Sequence, residues 1–364
     1  INFRGGGGVH RKIVMKIQFC GTFEDIISLE NLLAAWEEFV RGKRGKRDVA
    51  EFSFRLMDNI FALYEDLRNR TYCHGGYQAF NISDPKPRNI HKASVRDRLI
   101  HHAIYRVLYP FFDRTFVADS FSCRVRKGTH AAMNRFRAFA RVVSKNNTRT
   151  CWVLKCDIKK FFANIDHATL LEILAQHIPD REIMRLLCEV VESFSSSRRD
   201  VGLPLGNLTS QLFVNIYMNE FDQFAKHRLK AKCYLRYADD FVILSCDRVW
   251  LNGLISSVGK FLKEKLKLEL HPQKVSIQTL ASGVDFLGWV HFPNHRVLRT
   301  STRRRMLKRI RGAVNPETIN SYLGLLHHGN TYRLRSRIES SFPLIAEDFL
   351  SGTISERRRK ITSE

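Results

Sequence analysis

No apolar run in the sequence approaches the ~18 residues that a membrane-spanning helix needs, and no two cysteines form a C-x-x-C pair. The first absence leaves no candidate for a transmembrane helix. The second leaves eight scattered thiols (20, 73, 123, 151, 156, 188, 233 and 246) without zinc-ligand spacing or a disulfide framework, so they are expected to be reduced and mostly buried. The His101-His102 and His327-His328 pairs also lack partners at ligand spacing and are expected to pack or face solvent. The first 20 residues are Gly- and Lys-rich without a signal-peptide core, so a cytoplasmic chain is expected. There is no internal repeat, and acids are scarce: 36 Asp and Glu stand against 60 Lys and Arg, a formal charge of +24. Such an excess favours an extended anionic partner, nucleic acid ahead of a membrane surface. What the chain does have is 364 residues, 44 % of them apolar and 26 of them Phe, enough for two or three subdomains around a sizeable core.

"INFRGGGGVHRK" reads as a flexible start, followed by a helix around Ile26 to Phe39 and the basic connector "RGKRGKR". Asp48 and Glu51 have capping-box spacing and would open a helix in which Val49, Phe52, Leu56, Ile60, Leu63 and Leu67 recur every three to four residues. "SDPKPRNI" reads as a proline-broken loop, and another helix is expected from Ser94 to Leu108. Near residue 150 the pattern becomes strand "CWVLKCDI", helix "KKFFANIDHATLLEILAQHI", loop "SFSSSRRD", and a turn "GLPLGNLTS" opening the helix "QLFVNIYMNEFDQFAKHRL". "KCYLRYADDFVILS" reads as strand, tight turn, strand. A helix near 249–267 and short strands in "VSIQTL" and "VDFLGWVHF" follow. From Thr300 the chain is basic and helical, with Pro316 and Glu317 in the first turn of one helix.

Asp157 ends an apolar strand, and Asp239 and Asp240 occupy a hairpin tip. A buried, unpaired carboxylate is costly. A hard divalent cation answers that cost: Mg²⁺ takes oxygen ligands from one or two carboxylates and completes its shell with water and substrate phosphates. Two such ions can activate an attacking hydroxyl and stabilise a leaving oxygen. An Asp-Asp pair also suits a solvated hairpin turn, and taken alone the two readings stand level.

The surrounding blocks tip that balance. "YADDFVIL" resembles the Y/F-x-D-D motif of reverse transcriptases. "PKPRNIHKASVRDR" (85–98) and "ADSFSCRVRKGTHAA" (118–132) resemble the finger motifs of that family. "LKCDIKKFFANIDH" (154–167) is similar to palm motif A, "GLPLGNLTSQLFVNIYMN" (202–219) to motif B and "LKLELHPQKVSI" (266–277) to motif D. "VDFLGWVH" (284–291) resembles the primer grip. The resemblance implies an α+β right-hand polymerase with fingers, a palm (an antiparallel sheet packed on helices) and a helical thumb. The expected layout is an N-terminal helical extension and fingers over 1–150, a palm over 151–295 with a finger-side insertion near 170–200, and a helical thumb with a basic tail over 296–364.

The resemblance also implies roles. Asp157, Asp239 and Asp240 would be catalytic and, with the Ile158 carbonyl, would hold two Mg²⁺ ions, replaceable by Mn²⁺. Asp240 ranks behind Asp239 because neighbours on a strand point opposite ways. Phe162 matches the bulky gate that excludes a ribose 2′-OH and favours dNTPs, and it disfavours an RNA-dependent RNA polymerase. Phe161 is the core residue of that pair. Lys86 and Arg88 would meet the triphosphate, a solvated basic loop being the other reading, and Lys274 matches the motif D lysine. Leu205, Gly206 and Gln211 would line the dNTP site. Arg96, Arg98 and Arg124 would touch template or triphosphate. Arg303, Arg304, Arg305 and Lys308 in "RRRMLKRIR" would grip the cDNA/RNA duplex, or simply form a solvated basic helix.

Motif B reads L-G-x-x-x-S-Q where many relatives read Q-G-x-x-x-S-P. That variant, with "YCHGGYQAFNISDPKPR" and "INSYLGLLHHGNTYRLR", closely resembles the reverse transcriptases of diversity-generating retroelements. Those enzymes copy a template RNA, misincorporate opposite adenines, and work with a small basic accessory protein. Leu205 would replace an amide able to hydrogen-bond near the nascent pair, loosening discrimination, or would only pack. The stretch after Val290 has room for a three-helix thumb and not for an added DNA-binding and endonuclease region, an expectation against a group II intron maturase. The alternatives are a retron-type or group II intron-like enzyme of ordinary fidelity, or a catalytically silent RNA-binding scaffold.

Overall fold

Thr22 and Ser28 each start a helix by accepting a backbone N–H in the first turn, giving α1 (Phe23–Ile27) and α2 (Leu29–Val40). The single helix expected from Ile26 is therefore two, because Ser28 caps where continuation was expected. The pattern from Asp48 likewise splits at Arg55, whose φ of −120° leaves the helical range, into α3 (Arg47–Phe54) and α4 (Leu56–Arg68). The capping box does not form: Lys46 is the N-cap, and the Asp48 carboxylate is taken by Lys92 and Arg98. Two cations outbid a backbone N–H for one carboxylate.

The structure, a computed structural model, describes residues 17–83, 87–312 and 316–341. The Gly-rich start, Lys86 and the basic tail lie outside the described residues. Strands β1 (Gln78–Ile82) and β2 (Arg88–Lys92) pair antiparallel, so the stretch expected as a proline-broken loop already contains the start of β2. Ser94 caps α5 (Val95–Thr115), which continues past Leu108 and through Pro110. There follow α6 (Thr129–Val143), β3 (Trp152–Asp157), a 3₁₀ turn (Phe161–Asn164), α7 (His167–Ala175), α8 (Arg181–Glu192) and α9 (Leu208–Gln223). The hairpin of β4 (Tyr234–Tyr237) and β5 (Asp240–Ser245) leads into α10 (Arg248–Leu266), β6 (Ser276–Thr279), β7 (Val284–Phe286), β8 (Trp289–His291) and β9 (Arg296–Leu298). Three helices close the described chain: α11 (Thr300–Gly312), α12 (Pro316–Leu326) and α13 (Tyr332–Ser341). Among the described residues no helix is long and apolar enough to cross a membrane.

The chain divides into two compact units. The first comprises the described parts of Ile1–Phe116, Lys159–Phe221 and Phe261–Leu268. Its α2 packs on α5, and Ile26, Leu32, Phe39, Leu63, Leu99 and Ile104 are fully buried there. The second comprises the described parts of Val117–Ile158, Asp222–Lys260 and Glu269–Glu364. It holds an antiparallel sheet in the order β4-β5-β3-β6 and a second sheet β7-β8-β9. Helix α6 lays Ala132, Phe136 and Phe139 on Val153, Leu235, Val242 and Phe286, while Trp289, Met306, Ile319, Leu323 and Ile338 form a second core under α11–α13. All eight cysteines are free thiols, yet only Cys151 and Cys156 are fully buried. Cys20, Cys73, Cys123 and Cys246 are exposed because they sit in turns and connections, not on apolar faces.

His101 is wholly buried in the first unit. Its Nε2 lies 3.0 Å from His74 Nε2 and its Nδ1 lies 3.1 Å from Thr209 Oγ1. His74 Nδ1 lies 2.6 Å from the Gly75 carbonyl, so donors and acceptors can alternate along Gly75, His74, His101 and Thr209. Burial first, and neighbouring His74 next, push His101 down from its ordinary 6.5 to about 3. The unfolded chain therefore takes up a proton near pH 6.5 that the folded chain refuses, and stability falls as pH drops below that value. Urea unfolding should show His101 contributing a loss of up to about 2 kcal/mol between pH 7 and 5. A His101→Asn variant should show a correspondingly smaller difference between the two pH values.

Candidate active site

Strand β3 buries Val153, Leu154 and Cys156 and ends on Asp157, where the side chain is 14 % exposed. Tyr237 and Asp240 are register partners, so the β4–β5 loop is only Ala238 and Asp239. Ala238 takes a φ of +55°, the left-handed value that primed hairpin turns require at their first position. For an alanine this conformation costs about 1–2 kcal/mol. Across the sheet Asp157 pairs with Asp240, which places both side chains on one face at the strand ends. Asp239 lies in the turn, so strand alternation does not rank Asp240 behind it; that ground for the ranking fails.

Burial first, then the neighbouring Asp240 and Asp157 carboxylates, push Asp239 up to about 6. Lys274 Nζ lies 3.0 and 3.1 Å from the two oxygens of Asp157. The lysine reaches it from a turn in which the His271 N–H donates to the Asp157 carbonyl, at 2.8 Å, and Ile158 bridges Leu270. Among the described residues no three acidic, histidine or cysteine side chains converge closely enough to hold a metal ion. The donor set nonetheless suits one. Its carboxylates are hard oxygen ligands, their crowding disfavours ionised Asp239, and the Lys274 ammonium already stands as a cation against Asp157.

The first unit holds most residues expected at the nucleotide. Phe161 is buried, while Phe162 in the 3₁₀ turn is partly exposed, the two rings meeting edge to face at 5.5 Å. The Phe162 carbonyl accepts the Leu203 N–H at 2.8 Å, and the Leu205 carbonyl accepts the His91 N–H at 3.1 Å. Motif B is thus tied to both the 3₁₀ turn and β2. Gly206 is exposed with φ +112°, and an added Cβ would crowd Ile90 Cγ2 at 3.1 Å. Gln211 is half-buried in the first turns of α9, and Arg88 is exposed at the start of β2.

Three arginines expected on nucleic acid or triphosphate are engaged by the protein itself. Arg96 bonds Asp66 at 2.6 Å and covers the Tyr72 ring. Arg98 bonds Asp48 beside Phe39, and Arg124 donates to the Val117 and Ser120 carbonyls at 2.8 and 3.0 Å. On α11, Arg303, Arg304 and Lys308 are exposed and Arg305 is half-buried. Sequence reading passed over Arg236 in "YLRYADD". It is fully buried against Asp222, and Nη1 lies 3.1 Å from the Ala238 carbonyl. The available signal was a charge at a core position of an apolar strand.

Residues 83–291, more than half of the chain, match the family described as Reverse transcriptase (RNA-dependent DNA polymerase). The chain belongs to the reverse transcriptase family. Protein YkfC of Escherichia coli is 26% identical to this chain over a match covering 61% of this chain and 66% of that protein. Group II intron-encoded protein LtrA of Lactococcus lactis is 23% identical, covering 74% of this chain and 54% of its own. The chain thus spans about half to two thirds of the length of these relatives. Among solved structures, telomerase from Candida albicans in complex with a fragment of telomeric RNA superposes with a TM-score of 0.51 at 11% identity, over 78% of this chain and 56% of that one. Apo telomerase from Candida tropicalis gives 0.50 at 12%, over 70% and 53%. At such identity the likeness is one of fold: a reverse transcriptase fold of mixed helix and sheet, as the sequence led us to expect.

Lys274 tempers the mutual repulsion of the carboxylates, so Lys274→Met should lower the melting temperature of the metal-free protein. It should also enlarge the rise in melting temperature on adding Mg²⁺. Scanning calorimetry in EDTA and in Mg²⁺ reads both, and equal responses in variant and wild type would remove Lys274 from the balance.

Proposed function

We propose that this chain is an RNA-templated DNA polymerase that makes error-prone cDNA, mutagenic at template adenines, in a diversity-generating retroelement. The observation that carries polymerisation is the pairing of Asp157 with Asp240 beneath the turn that bears Asp239, within the family match. In this reading a primer 3′-hydroxyl attacks the α-phosphate of a dNTP and pyrophosphate leaves. Asp157, Asp239 and Asp240, with the Ile158 carbonyl, would hold divalent cations, Mg²⁺ or Mn²⁺. Bound ions would supply positive charge to the attacking and leaving oxygens. Lys274, already an ion-pair partner of Asp157, has the charge to meet the departing pyrophosphate. Lys86 and exposed Arg88 are assigned to the triphosphate. Phe162 presents a partly exposed ring to exclude a 2′-hydroxyl. The basic α11 residues are assigned to the duplex backbone, a contact insensitive to sequence and weakened by salt.

The layout proposed is fingers over 1–150, palm over 151–295 and thumb over 296–364. The diversity-generating assignment rests on the motif B variant Leu205, Gly206, Ser210 and Gln211. Leu205 offers only its backbone carbonyl, to His91, and no side-chain amide to test a base pair. A small basic accessory protein oligomer belongs to the same reading. With a chain charged +24, two basic partners would meet most favourably through the template RNA. The likeness to LtrA favours a second reading, a group II intron-like enzyme of ordinary fidelity.

Asp239→Asn should lower dNTP incorporation on a primed RNA template roughly a hundredfold or more while leaving RNA affinity unchanged, as read by primer extension and filter binding. Sequencing wild-type cDNA should find errors concentrated opposite adenines. A uniform, low error spectrum would favour the second reading.

A further inference from the structure

We propose that Arg236 is a positioning residue for Asp239: its buried guanidinium holds the Ala238 carbonyl and so fixes the left-handed turn that aims the carboxylate. The proposal rests on the reading of Asp239 as catalytic. Arg236, Asp222 and Tyr234 are each 0 % exposed. Nε and Nη2 of Arg236 fork onto the two Asp222 oxygens at 2.8 and 2.7 Å, and Nη2 also lies 3.0 Å from Ser120 Oγ. The Tyr234 hydroxyl donates to the same carboxylate. Asp222 is anchored near the end of α9. The Arg236 backbone is bonded on both sides, its N–H to the Asp119 carbonyl and its carbonyl to the Phe121 N–H, each at 3.0 Å. The guanidinium is therefore a fixed point, and the remaining nitrogen, Nη1, reaches the Ala238 carbonyl at 3.1 Å.

That carbonyl shares a rigid peptide plane with the Asp239 N–H. Its direction sets where the Asp239 side chain leaves the turn. An alanine at a φ of +55° does not hold such a turn by its own preference. A buried ion pair is moreover weak evidence of stability, since well-packed apolar groups of like volume often replace one without loss. Fixing one turn conformation at the acidic tip is a use that stability does not explain.

The test removes the whole buried set at once, with Arg236→Met, Asp222→Leu and Tyr234→Phe combined, so that no charge is left unpaired. Arg236→Lys, which retains a cation but not the fork, is the milder variant. In each folded variant we expect a melting temperature within a few degrees of wild type, unchanged affinity for a primed RNA template, and kcat at least tenfold lower. Adding Ala238→Gly to the triple variant should recover activity severalfold, because glycine takes the left-handed turn without strain. A folded triple variant with wild-type kcat would overturn the proposal. So would kcat falling no further than the folded fraction, or failure of both variants to fold, either of which assigns the set to stability alone. Asp239→Asn run alongside separates the two levels. Full activity there defeats the reading of Asp239 itself, whereas an inactive Asp239→Asn beside a fully active triple variant defeats only the role of Arg236.

Discussion

The antiparallel register of β3 and β5 is the constraint on which the rest of the second unit depends. Six residue pairs, from Trp152 with Ser245 to Asp157 with Asp240, bring two carboxylates to one end of an otherwise apolar sheet. A slip of one residue would turn Asp157 away from Asp240 and swap the faces into which Val153 and Leu154 pack. The apolar interior thus does more than contribute stability. It makes the register expensive to change, and the register places the charge.

Holding that charge sets the surrounding demands. Lys274 meets Asp157 from one side, and the buried Arg236–Asp222 pair braces the turn from beneath. Thr129 and Tyr237 join their hydroxyls at 3.0 Å where β4 enters the turn. Further back, Lys155 donates to the Asp285 carbonyl at 2.8 Å, and Asp285 pairs with Arg299 ahead of α11. Strand β3 is therefore linked through one residue of β7, Asp285, both to the second sheet and to the start of the C-terminal helices. Rigid support of this kind suits a site whose geometry must be kept within a fraction of an ångström.

Several elements show why local pattern reached only part of this. The α4 face of Ile60, Leu63 and Leu67 was legible because the helical period survives in sequence. The breaks at Ser28 and Arg55, and the loss of the Asp48 cap, were not. Asp48 finds Lys92 and Arg98 some 50 residues away, and such competition has no local signature. The same holds for Arg96, Arg98 and Arg124, whose charge suggested nucleic acid and whose geometry gives each an internal partner. Strands β1 and β2 hid behind the proline-rich segment between them.

The sequence by itself determined the family, the order of the motif blocks, and the identity of the three acids, because ordered short patterns and apolar periodicity are properties of the chain alone. It also determined the strong positive charge that suits a nucleic-acid partner. Only the tertiary structure decided that Asp157 faces Asp240 across the sheet while Asp239 stands in a strained turn, and that Lys274 and Arg236 reach this end. Those relations join residues far apart in the chain or in different elements. Pairing register, burial and side-chain reach set them, and no local spacing records them.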